Sequence, residues 1–128
     1  MNPTNTPLEG SKLANFTPVQ NVPELQIIDV TEGTGETVPQ GATITAHYTG
    51  ALAANGVIFQ SSHDFGEAIT FPLSGVIAGW TQGVPGMKVG GVRRLVIPAT
   101  QAYGAHSPSP SIPANSDLVF DIELVAIN

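Results

Sequence analysis

Trp80 closes the run Val76-Ile77-Ala78-Gly79-Trp80, and Tyr103 sits in Ala102-Tyr103-Gly104 at the mouth of a Pro-rich stretch. Together with Tyr48, Phe59 and Phe120, these residues can build the walls of one apolar pocket. The groups that would bring other chemistry are missing or placed elsewhere. There is no Cys, which excludes thiolate nucleophiles, disulfides and Cys-ligated zinc. His47 lies on the polar face of an alternating pattern, and His63 and His106 have no partner at a metal-ligand spacing. Asp121 and Glu123 alternate with apolar residues and read as a solvated face, not as a catalytic carboxylate pair. Gly33-Thr34-Gly35 lacks the strand–loop–helix context of a phosphate cradle and reads as a turn. What remains is a pocket that binds a neutral, apolar group and moves no proton. No metal and no cofactor are expected.

The elements that would position these residues are mostly strands. Ile44, Ala46 and Tyr48 alternate with Thr43, Thr45, His47 and Thr49, a period of two with one face buried. Leu118, Phe120, Ile122 and Leu124 alternate with Val119, Asp121, Glu123 and Val125 in the same way. Shorter strands are expected over 25–30, 57–61, 69–73 and 92–98. Asn55-Gly56 marks a turn. One helix is convincing: Val76, Ile77, Trp80 and Val84 form an apolar stripe, Ser74 could cap it, and Pro85-Gly86 stops it. Residues 104–117 carry Pro108, Pro110 and Pro113 and read as a long loop, of the kind often kept for function. A short helix against a mainly antiparallel sheet is an α+β arrangement.

Two segments divide the chain. Residues 1–23, with Pro3, Pro7, Pro18 and Pro23, read as an extended, partly disordered arm with Leu13 or Phe16 pinned to the body. Residues 24–128 form one folded domain, consistent with a total of 128 residues, 41% hydrophobic and 11% charged. Four Lys and Arg against ten Asp and Glu leave a formal charge of −6, which argues against nucleic acid or an anionic membrane as partner. No segment has the roughly 18 apolar residues needed for a membrane span. The N-terminal segment has no apolar core of a signal peptide. The compartment is therefore open: the expectation leans to the cytoplasm, with an exported domain whose leader has been removed as the alternative.

Nine segments, in order, resemble the FKBP-type peptidyl-prolyl cis-trans isomerases. Among them are His47-Tyr48-Thr49-Gly50, Gly56-Val57-Ile58-Phe59-Gln60-Ser61-Ser62, Val76-Ile77-Ala78-Gly79-Trp80, Met87-Lys88-Val89-Gly90-Gly91, Ala102-Tyr103-Gly104 and Leu118-Val119-Phe120-Asp121-Ile122-Glu123-Leu124. The resemblance implies a five- to six-stranded antiparallel half-barrel wrapped around one short helix, with a prolyl ring seated over Trp80. It implies catalytic roles for Tyr48, Phe59, Ile77, Trp80, Tyr103 and Phe120, with the Ile77 N–H and the Tyr103 hydroxyl donating to peptide carbonyls. Gln60, Ile69, Val76, Ala102 and Ile112 would bind substrate. The chain departs from the family at Gln60, which stands for a common Asp, at Phe65, near a common Arg, and at Ile69, which stands for an aromatic ring. Ser74-Gly75 also shortens the connection before the helix.

The implied activity is acceleration of rotation about X–Pro bonds in peptides and unfolded proteins, by a monomer that also takes macrolides of the rapamycin and tacrolimus type. The alternative from another class is a non-catalytic module that holds Pro-containing segments on the same fold. Both readings suit the residues. Rotation about an amide breaks no bond, so an aromatic pocket without a nucleophile is sufficient for it.

Overall fold

The computed structural model describes residues 10–13, 16–19, 21–64, 66–108 and 110–128. Six strands form one antiparallel sheet: β1 Gln26–Thr31, β2 Thr43–Leu52, β3 Ile58–Ser61, β4 Ile69–Pro72, β5 Val92–Ile97 and β6 Leu118–Ile127. The order is β1-β5-β6-β2-β3, and β4 also pairs with β2. β2 and β6 are the long central pair, matched from Ile44 opposite Ile127 to Leu52 opposite Leu118 with one register shift between Thr45 and Ala46, which leaves Val125 without a counterpart. β4 takes the first half of β2, with Thr43 opposite Pro72, and β3 takes the second half, with Thr49 opposite Ser61. Two short strands thus share one edge of β2, and both bring aromatic residues to the same side.

Alternation across the pleat separates two apolar clusters. Ile44, Ala46, Leu95, Ile97, Leu118, Phe120 and Ile122 belong to the main core under the helix. Ala51, Ile58, Val96 and Val119 form a smaller cluster on the other face, covered by Leu13, Phe16, Val19 and Val22 of the N-terminal segment. β1 is an edge strand with all six residues exposed, including Ile27, Ile28 and Val30. Its apolar run therefore marks a strand without marking core.

The helix α1 is Ala78–Gly83, shorter than the apolar stripe suggests. Val76 is extended, Ile77 is the N-cap residue with no side-chain cap, and Val84 is the C-cap. Ser74 does not cap it: Ser74 lies in a separate 3-10 turn, Leu73–Gly75. The β-branched pair Val76-Ile77 takes the extended conformation its stiff side chains favour, so the helix starts two residues late. Thr81 fastens the first turn by donating its hydroxyl to the Leu73 carbonyl at 2.6 Å.

α1 packs against β5 through its glycines. A Cβ on Gly79 would lie 2.6 Å from Ile97 Cγ2, and one on Gly83 would lie 2.7 Å from Leu95 Cδ2. The C-terminal end of the helix is held by buried Arg93 of β5, whose guanidinium donates to the Gly83 carbonyl at 2.8 Å and to Asp29 of β1 at 2.6 Å. A cation at this end meets the carbonyls that the helix itself leaves without a donor.

Gly79→Ala tests the close approach. The added methyl has no room beside Ile97, and overpacking of this kind typically costs about 1–3 kcal/mol. Urea unfolding followed by the emission of the sole Trp should show that loss. An unchanged midpoint would mean that α1 is free to move off the sheet.

Candidate active site

A cleft of about 460 Å³ opens between α1 and the sheet, within the usual range for small-molecule and cofactor sites, about 300–1,000 Å³. Its floor is the Trp80 indole, 4% exposed. Three rings meet that indole edge to face: Phe71 at 4.9 Å between centroids, Phe120 at 5.3 Å and Tyr48 at 5.6 Å, with interplanar angles of 68°, 85° and 80°. Phe59 meets Phe120 in the same way, at 5.7 Å and 84°. Edge-to-face pairs set positive ring edges against negative ring faces, at about 0.5–1.5 kcal/mol each beyond burial. The four contacts therefore fix ring orientations as well as closing the wall.

Local backbone features aim these rings. β2 pairs Gly50 with Gln60 and Ala51 with Ile58, so Phe59 is the extra residue of a β-bulge. A bulge bends its strand and re-aims the side chain it carries, and here that side chain lines the cleft. Gly50 leaves the space: a Cβ there would lie 2.6 Å from Phe59 Cζ and 2.7 Å from Phe120 Cε2.

Polar groups are few. Tyr48 donates its hydroxyl to Gln60 Oε1 at 2.8 Å. Burial, and then the neighbouring Tyr103 phenol, push the Tyr48 pKa above the usual value, so it keeps its proton through the neutral range. The Ile77 carbonyl accepts from the Trp80 and Thr81 N–H groups at 3.0 and 3.2 Å. Among the described residues, neither the Ile77 N–H nor the half-buried Tyr103 hydroxyl has a partner. Both residues line the cleft, so two donors remain unspent at its wall. The buried Trp80 Nε1–H also has no acceptor among the described residues.

Of the eleven residues expected at the site, nine line the cleft: Tyr48, Phe59, Gln60, Ile69, Val76, Ile77, Trp80, Tyr103 and Phe120. Ala102 and Ile112 do not. Ile112 is buried in the main core, and Ala102 packs partly buried against that core. The sequence reading missed Phe71 and Gly75, which also line the cleft. Phe71 was legible: in a strand over 69–73, Ile69, Phe71 and Leu73 share one face. The ring expected by resemblance at Ile69 is thus supplied by its neighbour two residues on. Phe65 lies outside the described residues.

The other titratable groups stand apart from the cleft. His47 and His63 stack with centroids 4.3 Å apart, His47 Nδ1 lies 2.9 Å from the Ser62 hydroxyl, and His63 Nε2 lies 2.8 Å from Glu123. Asp121 accepts from Arg94 at 2.6 Å, and this bond raises the Arg94 pKa. Among the described residues no group of His, Asp and Glu could hold a metal ion.

Tyr103→Phe deletes one of the two free donors and no internal hydrogen bond of the hydroxyl. A lost hydrogen bond typically costs about 0.5–1.5 kcal/mol, so kcat/KM on a Pro-containing peptide is expected to fall up to roughly tenfold while the melting temperature holds. A large drop in melting temperature with activity intact would make Tyr103 a structural clamp.

Comparison with known proteins agrees with this fold. Residues 34–125 match the family model of the FKBP-type peptidyl-prolyl cis-trans isomerases. The chain is 43% identical to a probable FK506-binding protein of Corynebacterium glutamicum, over 85% of this chain and 92% of that protein. It is 44% identical to an FK506-binding protein of Neisseria meningitidis serogroup B, over 80% of this chain and 95% of that one. Among solved structures, FkpA from Escherichia coli superposes with a TM-score of 0.73 at 42% identity, covering 81% of this chain and 48% of that chain.

Proposed function

The chain belongs to the family of FKBP-type peptidyl-prolyl cis-trans isomerases, and from that premise we propose how its own cleft speeds the reaction. Rotation about an X–Pro bond crosses a barrier of about 18–20 kcal/mol set by amide resonance, and takes tens to hundreds of seconds unaided. The twisted amide has lost conjugation and is less polar than either planar isomer. A dry aromatic cleft therefore favours it over the ground state, which is the differential binding that catalysis requires. The prolyl ring sits over Trp80 between Phe59, Phe71 and Phe120, and the Ile77 N–H and Tyr103 hydroxyl hold the flanking carbonyls. A gain of ~5–8 kcal/mol in the twisted state would accelerate rotation ~10⁴–10⁶-fold.

The observation that carries this reading is the pairing of three edge-to-face ring contacts made by Trp80 with two unspent donors beside them. The substrates it suits are X–Pro segments of peptides and unfolded chains with an apolar residue before the Pro, because Ile69, Phe59 and Phe71 line the wall. NMR exchange on a Leu-Pro peptide tests it: cis and trans peaks should broaden with catalytic amounts of protein. Sharp, unchanged peaks at near-stoichiometric protein would leave a binding module without catalysis. The rate should be flat between pH 6 and 8, since the lining carries no His, carboxylate or amine and Tyr48 is shifted upward, away from this window. A bell-shaped profile would reveal acid–base chemistry.

The same cleft is proposed to take macrolides of the type named in the relatives, with an affinity set partly by Gln60. Its Oε1 is engaged by Tyr48, and a neutral amide accepts less strongly than a carboxylate. Gln60→Asp should strengthen macrolide binding by ~1 kcal/mol, roughly fivefold. Calorimetry that finds equal or weaker binding would remove Gln60 from that role.

A further inference from the structure

Residues 10–13, 16–19 and 21–22 precede the segment that the family model matches, yet they touch the strands that form the cleft. Residues 10–13 run beside the outer edge of β3, with Lys12 bridging antiparallel to Val57. The Gly10 N–H donates to the Ile58 carbonyl at 2.7 Å, the Ile58 N–H donates to the Ser11 carbonyl at 2.8 Å, and the Leu13 N–H donates to the Gly56 carbonyl at 2.8 Å. Phe16 lies under Gly56 and beneath the Arg94 guanidinium, whose central carbon is 5.6 Å from the ring centroid. Farther along, the Val19 N–H donates to the Ala53 carbonyl at 2.8 Å.

The far end of the segment reaches the opposite wall. Val22 N–H donates to Asp117 Oδ2 at 2.9 Å, while Asp117 Oδ1 accepts from the Ala99 N–H at 2.9 Å. Ala99 begins the 3-10 turn Ala99–Gln101 that leads into Tyr103. One carboxylate thus ties the segment to the stretch that carries a free donor of the cleft.

We infer that residues 10–13, 16–19 and 21–22 are a positioning strap for the cleft, holding the bulged strand that aims Phe59 at one end and the turn before Tyr103 at the other. The bulge explains why β3 needs it. Phe59 is the residue without a counterpart on β2, so the ladder is locally disrupted where the ring must be aimed. The strap holds Ile58, the residue just before the bulge, from the free side with both of its backbone groups. A two-sided clamp limits the tilt of the strand, and with it the orientation of Phe59 and of Gln60 beyond it. The described residues between 10 and 22 do not line the cleft, so they act on it through other residues.

This inference rests on the isomerase reading for its kinetic consequence but not for its structural one, and the test separates the two. In the full chain, Phe16→Ala removes the pin against the back face, and Leu13→Pro removes the N–H that bonds Gly56. Phe16→Leu keeps an apolar side chain and serves as the conservative control. At a temperature where all are folded, hydrogen exchange at the Ile58 amide should quicken in the first two, and the Phe59 and Tyr103 ring signals should shift by NMR. Their kcat/KM on a Leu-Pro peptide should fall roughly three- to tenfold, mainly through kcat, with Phe16→Leu close to the parent. Unmoved ring signals would overturn the inference whatever the activity, and so would faster Ile58 exchange with unchanged kcat/KM, which would make the segment a stabiliser only. An inactive parent would sink the isomerase reading, while the ring signals would still decide the strap.

Discussion

A helix of six residues can floor a cleft only if its backbone comes close enough to the sheet to bury its one large side chain. Gly79 and Gly83 permit that approach, because a Cβ at either position would meet Ile97 or Leu95 at 2.6–2.7 Å. Once α1 lies against β5, Trp80 packs in edge-to-face contact with Tyr48, Phe71 and Phe120. The extended Val76-Ile77 pair then enters along the rim of the cleft, and Arg93 pins the other end of the helix to β5 and β1. Isolated helices this short do not hold together in water. Tertiary contact makes this one, and the same contact makes the site.

The rest of the cleft comes from irregularities in an otherwise regular sheet. Two short strands share the edge of β2, so aromatic residues from both converge beside the helix. The bulge at Phe59 and the bare backbone at Gly50 let two rings occupy space that a plain ladder with side chains at every position would fill. Charged residues have been routed elsewhere: Asp121 to Arg94, Glu123 to His63, and Asp29 to Arg93. The resulting wall is apolar and close to immune to pH. That suits a reaction whose barrier is amide resonance and whose transition state is less polar than its ground state.

Much of this was legible in the sequence. Strict alternation in β2 and β6 revealed the two longest strands, because each has one face in the core. The ordered family motifs brought out the aromatic residues of the cleft. Period alone failed where burial does not follow the pattern. The apolar residues of β1 lie on an exposed edge, and Val76-Ile77 extends the apolar stripe of a helix it does not join. Ile112 and Ala102 carry the residue types of a wall, but only the path of the chain, through the 104–117 loop for Ile112 and the Ala99–Gln101 turn for Ala102, decides that they pack into or against the core. Phe71 could have been found by reading its strand two residues at a time. Neither the bulge nor the second anchor at Asp117 leaves a trace in residue type, since both arise from backbone pairing between distant segments.

The central claim is that catalysis here comes from preferring a twisted, less polar amide, with no proton in flight. The solvent deuterium isotope effect on kcat/KM for a Leu-Pro peptide tests that most directly. In H₂O and D₂O at matched acidity, the account expects a ratio indistinguishable from unity, because the donors at Ile77 and Tyr103 hold their protons throughout. A normal effect well above unity would mean that a proton moves in the rate-limiting step, and would contradict the account.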